Sequence, residues 1–580
     1  MSEPRPARRP LVIAASATAA LVVVTVLAIV GVVLSRLHEI SGVRGGHLTV
    51  VAIRPIGEVD PARVITPFAI SLLSDTLRTP YAFEPGRGIV PDLALGPPQI
   101  SDDSTQIELT LRPDVRFAPP VDRVVTSDDV AYALERGFLP SVDSRIATIY
   151  FRSIRGVQAI RNGRADTISG LQTPDDDTLV IELKRPVARS VAQALTLTLA
   201  APVPREYAAR YDQRPTSTYG RHLIATGPYR FDPGADGQLP GPDAHSLDLV
   251  RNPAWDPETD FRPAFLDSIS VVPARNEDRA GEQVLNGHDS VSGDFAASRH
   301  LLETAKAKLG DQIRLAQSSA TAYVTLNTEV PPLDDVLVRR AVTAAFNSAG
   351  ARAAAGGAVV GRIPTHWIPP GVPGFEEAGG NAGPGFDFLA DPDGNLALAR
   401  DYMRQAGYPT GRYNGAASLE AVGVDRPYTR ELAGSVQRAF DSLGIEIERR
   451  LIGPKRSDQL CTTRATTPAV CLNGYWLNDF DDADSVLPPL FSGAVIRDRA
   501  NTNVSLLDDP SANLAMEDAN ETTGAADRAE AWAEADLAIT GLAPAIPILW
   551  YRYPLLRSND VKGIVDEALA EWDLSFTSLR

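Results

Sequence analysis

The sequence predicts an α/β fold preceded by one transmembrane helix, and three observations carry that prediction. First, Thr429–Arg450 reads TRELAGSVQRAFDSLGIEIERR, with Leu432, Val436, Phe440 and Leu443 at helical spacing, a stop at Gly444, and then Ile445 and Ile447 alternating with Glu446 and Glu448. Helix, turn and strand follow one another, which is the unit of an α/β protein. Second, the same alternation of strand-like and helix-like segments continues along most of the chain. Third, residues 11–35 run without a single charge. As a helix rising ~1.5 Å per residue, such a run spans ~37 Å, enough to cross a bilayer.

Taken in order, Arg5, Arg8 and Arg9 precede the apolar run, and Arg36 and Arg44 follow it together with Glu39. This slight excess of positive charge places residues 1–10 in the cytoplasm and everything after the helix outside. A cleaved secretory signal is the alternative, but the run is longer than an h-region of ~7 to 15 residues. A Gly-containing linker covers 36–46, and His47 opens LTVVAI, a β-branched run suited to a buried first strand. QIELTLRP (106–113) alternates as a strand. TSDDVAYALERGF (126–138) begins with capping residues and continues with helical apolar spacing. TLVIELKRP (178–186) is a further strand ended by Pro186. NLALARDYMRQAGY places Leu396, Ala399, Met403 and Ala406 on one helical face, with Asn395 as N-cap and Gly407 as terminator. AADRAEAWAEADLAI (525–539) is a helix, and AIPILWY (545–551) a strand. LPGPDAH (239–245) and GGNAGPGFD (379–387) are loops.

Composition excludes some functions. A length of 580 residues exceeds what one hydrophobic core supports, so several lobes are expected. A net charge of −17 argues against nucleic acid, whose phosphates demand clustered Lys and Arg. The two cysteines, Cys461 and Cys471, are expected to form a disulfide outside the membrane. With no second Cys pair and no nearby His, a zinc site is not expected, nor any other metal or cofactor. A phosphate loop, an HExxH helix and a GxSxG elbow are all missing. The seven histidines show no ligand spacing and are read as structural.

GYWLNDFDDADS (474–485) holds four aspartates directly behind a strand-like segment. A calcium loop starting at Asp479 would need Gly at its sixth position and Glu at its twelfth; Asp484 and Leu490 stand there. A hydrolase using Asp481 and Asp484 would need two buried carboxylates facing one cleft. The plain expectation is a solvated acidic turn for at least three of the four. Asp479 is set apart by its place at a strand end beside aromatic residues, a position suited to ligand capture.

Several segments together resemble the extracellular solute-binding proteins of family 5, the oligopeptide- and dipeptide-binding components of ABC importers. They are IVPDLAL, LTLRPDVRFAPP with TSDDVAYALERGF, ATGPYRF (225–231), LVRNPAWDP (249–257), AYVTLNTEVPPLDDVLVRRAVTAAFN (322–347), IPPGVPGF (368–375), ARDYMRQAGYPTG (399–411) and GYWLNDFDDADSVLPPLFSG (474–493), with LAPAIPILWY near the end. The resemblance implies a periplasmic-binding-protein-like fold of two lobes with an extra third domain, closing around a ligand by a hinge. On that reading 47–88, 205–318 and 535–580 build lobe I, 89–204 the extra domain, and 319–534 the other lobe. It implies no enzymatic activity, a peptide or other small solute as ligand, and ABC permease subunits as partners. It further implies that Asp479 pairs with a peptide's α-ammonium beside Trp476, while Tyr323, Asn327 and Trp367 are further candidates for lining the cleft. The chain departs from the family at APPVDRVV and at Ala483, where a Pro is usual. A membrane-anchored envelope scaffold that keeps the fold without transport is the competing expectation.

Overall fold

The computed structural model describes residues 42–580 except 86, 214, 235–236, 299, 303–309, 417 and 567–568. The expected membrane helix at 11–35 lies outside the described residues. Among those described, no helix is long and apolar enough to cross a membrane.

Three sheets organise the chain. The first has five strands in the order Ser290–Ser292, His47–Ala52, Ser268–Pro273, Leu247–Arg251, Tyr229–Phe231. His47–Ala52 runs parallel to both of its neighbours, with Val50 opposite Val271 on one side and Val291 on the other. Strands flanked on both edges and covered on both faces need a largely apolar run, which LTVVA supplies apart from the half-buried Thr49. Its core joins Leu48, Val50, Leu72, Leu249 and Val271 to Leu555, Trp572 and Leu574 from the far end of the chain.

A four-stranded antiparallel sheet holds Gln99–Ile100, Gln106–Thr110, Thr178–Glu182 and Leu171–Gln172. Helix Ser127–Arg136 covers it, opened by a capping box between Thr126 and Asp129. The strand expected over 178–186 stops at Glu182, four residues before Pro186. Leu183 N still donates to Thr105 O, one in-register step past the strand, and the pairing stops there, short of Pro186.

The third sheet has six strands in the order Gly361–Arg362, Ala545–Leu556, Ile313–Leu326, Val470–Trp476, Ser418–Val424, Glu446–Ile452. Helix Pro427–Ser442 lies against it through Leu432, Val436 and Phe440, all buried, each contributing about 1.5–3 kcal/mol by leaving water. Gly444 then takes φ 77° and permits the turn into Glu446–Ile452. In helix Leu396–Gln405, Asn395 accepts from Leu398 N as expected, and Ala399 and Met403 are buried. Leu396, expected on that face, is 38% exposed: it is the first residue of a helix that packs on helix Val336–Ala345 through its later residues Ala399 and Met403.

Two strands tie the first and third sheets together. Ile313–Leu326 and Ala545–Leu556 pair antiparallel along their length, with the ladder interrupted between Gln317 and Thr321. Ala316 and Leu555 belong to the core of the five-stranded sheet, whereas Val324, Leu326, Ile546 and Leu549 belong to that of the six-stranded one.

Cys461, on helix Pro454–Thr462, is bonded to Cys471, on strand Val470–Trp476, across 6.2 Å between Cα atoms. The closed loop is short, so reduction is expected to cost about 2–3 kcal/mol. Urea midpoints with and without reductant test this; coincident midpoints would refute it.

Candidate functional site

Strand Val470–Trp476 sits in the middle of the six-stranded sheet, antiparallel to Ile313–Leu326 and parallel to Ser418–Val424. Gly474 is required there, because a Cβ would lie 2.4 Å from the Tyr323 ring. Tyr323 therefore lies over Gly474 and meets Trp367 edge-on at 5.7 Å between ring centroids. Past the strand, the Trp476 indole N–H donates to Ser485 O at 2.7 Å and closes the loop that carries the aspartates.

The structure separates the candidates. Trp367 is 1% exposed and packs 4.6 Å from Phe491, with its backbone N donating to Asp536. Asn327 is 3% exposed and donates to Thr467 O and Pro468 O, pinning the chain that leads into the strand. Both are interior residues, and the expectation that they line a cleft is corrected: both are almost wholly buried, and the Asn327 amide is spent on the chain itself. Tyr323 is buried beside them, and Trp476 is half-buried.

Asp479 is different. It stands three residues beyond the strand, half-buried, and accepts a hydrogen bond from the Tyr150 hydroxyl. Tyr150 ends helix Arg145–Tyr150 and belongs to the core over the four-stranded sheet, so the contact joins two units. The Tyr150 ring also meets Phe480 edge-on at 5.0 Å. Burial pushes the Asp479 carboxyl up to about 7, against the opposing pull of the Tyr150 hydrogen bond and the Arg145 charge. No ion pair reaches it among the described residues. It is an acid in a low-dielectric junction with one neutral donor and, among the described residues, no cation in contact, the Arg145 charge acting only from beyond ion-pair distance.

The remaining acids overturn the solvated-turn expectation. Only Asp481 is exposed; Asp482 and Asp484 are 3% and 7% exposed. Asp482 receives both prongs of Arg528, at 2.9 and 3.0 Å, a bidentate pair in the interior. Arg528 lies on helix Ala525–Leu542 and donates further to Ala519 O, Asn520 O and Ser190 Oγ. Asp484 accepts from Asn520 Nδ2, and burial together with Asp482 raises it to about 6. With Asp481 exposed, the two acids required for a hydrolase are not both buried. Among the described residues no group of three or more His, Cys, Asp or Glu could hold a metal ion.

Sequence reasoning missed Tyr150 and three tyrosines beside the crossing strands. Tyr475 follows Gly474, and its hydroxyl is 2.9 Å from that of Tyr553. Tyr551 lies 5.9 Å from Tyr475 and 5.3 Å from Tyr553, ring to ring. The alternation in YRYP was a usable signal, since residues two apart share a strand face. Nothing local announces Tyr150. A concavity of about 330 Å³, lined by Asn347, Arg430 and Arg438 among others, includes none of these residues.

This arrangement can be compared with known proteins. The family model for bacterial extracellular solute-binding proteins, family 5 (middle portion), matches residues 88–498. The chain belongs to that family. Among curated relatives, heme-binding protein A of Haemophilus influenzae is 22% identical over 462 residues, covering 78% of this chain and 77% of the relative. The dipeptide-binding protein of Escherichia coli is 23% identical over 497 residues, covering 83% and 85%. Among solved structures, clavulanic acid biosynthesis oligopeptide binding protein 2 superposes with a TM-score of 0.78 at 27% identity, over 93% of this chain and 96% of the other. This family 5 protein is thus an extracytoplasmic solute-binding component, and its relatives are binding proteins.

Proposed function

We propose that the protein captures peptides between the six-stranded unit on one side and the five-stranded and four-stranded units on the other, and delivers them to an ABC permease. The observation that carries this is Asp479: a carboxylate with no cation in contact among the described residues, placed where two units meet. A lone buried charge is costly, and an arriving ammonium converts that cost into a charge-assisted hydrogen bond. Tyr150, already hydrogen-bonded to Asp479, supplies a second polar group at the same point. The peptide-binding names among the relatives support the reading. The paired strands Ile313–Leu326 and Ala545–Leu556 supply the hinge, and their interrupted ladder is where closure bends the chain. Residues 11–35 tether the protein to the membrane with the folded part outside.

Mass spectrometry of small molecules released by denaturing the purified protein tests this, in wild type and Asp479→Ala. A ladder of peptides from the wild type, depleted in the variant, is the expected result. An empty wild type, or a ligand unaffected by the substitution, overturns it. The intact mass of the membrane-extracted chain shows whether residues 11–35 are retained; their removal refutes the tether.

A further inference from the structure

Capture of an α-ammonium at Asp479 leaves a neighbouring group of residues without a task. Tyr475 is 36% exposed, and Tyr551 and Tyr553 are half-buried, so all three present ring surface at the crossing of the strands. Tyr551 and Tyr553 share one face of Ala545–Leu556, while Tyr475 reaches them from the other side of Ile313–Leu326. The Tyr475–Tyr553 hydroxyl contact locks two of the rings in place. Tyr428, in the first turn of helix Pro427–Ser442, has a buried hydroxyl with no partner.

An acid closes this wall. Glu571 pairs with Asp566 in the hairpin of Val561–Asp566 and Glu571–Leu579. The hairpin is fixed against the tyrosine strand, because the Trp572 indole N–H donates to Leu556 O at 3.1 Å, three residues beyond Tyr553. Burial above all, then the neighbouring tyrosines and the Glu571 charge, pushes the Tyr475 and Tyr553 phenols up, so Glu571 lies within electrostatic reach of both. It is half-buried and has neither a hydrogen bond nor an ion pair among the described residues. Burial, then Asp294 and Asp566, raise it well above the usual carboxylate range. Arg54 opposes them from an exposed position without reaching ion-pair distance.

We infer that Tyr475, Tyr551, Tyr553 and Glu571 form a second cationic subsite, which takes the guanidinium or ammonium group of a basic side chain on the ligand. Aromatic faces attract a desolvated cation through their quadrupoles, and the carboxylate supplies the full counter-charge. Neutral side chains leave Glu571 unpaired. The inference rests on the peptide reading for the identity of the ligand. Tyr475 and Asp479 are four residues apart, so their Cα atoms are separated by at most ~14 Å. A short peptide spans that distance between its amino terminus and a basic side chain.

Calorimetric titration of the full-length protein in detergent provides the test. The ligands are alanine tripeptides carrying arginine, or its neutral isostere citrulline, at each position in turn. At one position the arginine peptide is expected to bind at least tenfold more tightly than its citrulline counterpart. Glu571→Gln should abolish that preference while leaving citrulline peptides bound as before, and Tyr475→Leu should reduce it. Circular dichroism melting of each variant establishes that it is folded. Equal affinities in the wild type, or a preference that survives in folded Glu571→Gln, would overturn the subsite and leave the peptide reading standing. Agmatine, a free guanidinium compound, separates the two claims. If it binds in a Glu571-dependent way while no peptide does, the subsite holds and the peptide reading falls; if nothing binds, both fall.

Discussion

Asp479→Asn is expected to weaken the binding of a peptide ligand by about 30-fold to several thousand-fold, the equivalent of about 2–5 kcal/mol for removing one partner of a desolvated charge pair. The amide can still accept the Tyr150 hydroxyl, so the junction between the units survives the substitution. Wild-type binding should also depend on pH, in a direction fixed by the shift. The folded carboxyl titrates near 7, above the ordinary value of 3.8. Below 3.8 both folded and unfolded chains carry the proton, and this group costs the fold nothing. Between 3.8 and about 7 the unfolded chain ionises while the folded one resists, so the empty protein loses stability through that window as pH rises. A bound ammonium favours the ionised form and reverses the preference. Affinity should therefore fall as pH drops below about 7, by up to tenfold per unit, and level off once the pKa of the bound state is passed. Calorimetric titrations from about pH 5.5 to 8 check this. A flat wild-type profile, or an Asn variant that keeps both its affinity and a pH slope, would remove Asp479 from the site.

Arg136→Met is expected to destabilise the protein by about 3–5 kcal/mol, the usual cost of stranding buried charge. The Arg136 guanidinium is fully buried and forks onto Asp60 at 2.7 and 2.6 Å, while also binding both oxygens of Asp212 at 2.8 Å. Helix Ser127–Arg136 covers the four-stranded sheet, whereas Asp60 precedes the first helix over the five-stranded one, so the substitution also loosens two units from each other. Burial alone would raise Asp60, but the charge and hydrogen bonds of Arg136 outweigh it and hold the carboxyl below 3.8. The stabilisation is present above 3.8 and is lost as pH falls through the depressed value. In the variant, burial is opposed only by the Ala62 backbone N–H and the Arg63 charge, and Asp60 takes up a proton more readily. The gap between the urea midpoints of wild type and variant should be widest near pH 7 and narrower near pH 4. Equal midpoints at pH 7 would disprove this account.

Local grammar made the elements legible. Thr429–Arg450 yields helix, turn and strand because its apolar spacing, its glycine and its β-branched alternation all act within a few residues. Asn395 and the Thr126–Asp129 box likewise announce helices through neighbours alone. Asp479 stood out by its position after a strand. Pairings across long stretches of chain were not legible. Asp482 looked solvated because Arg528 is 46 residues away, and Tyr150 meets Asp479 across 329 residues. Trp367 illustrates the converse: an aromatic residue beside a turn reads as a cleft wall until Phe491 and Asp536 are seen to enclose it.

The core of the five-stranded sheet has a temporal consequence. It draws on Leu48 to Leu77, on a middle section, and on Leu555 to Leu574, whereas the core of the six-stranded sheet is complete within Ala322–Leu549. Chains emerge from the ribosome at roughly 5–20 residues per second, amino end first. The six-stranded unit needs nothing beyond its own strands, the last of which ends at Leu556, whereas the five-stranded one needs the tail as well. Strand His47–Ala52, among the first to appear, waits for almost the whole of synthesis before Trp572 and Leu574 arrive to cover its core. The first part made is the last to be finished.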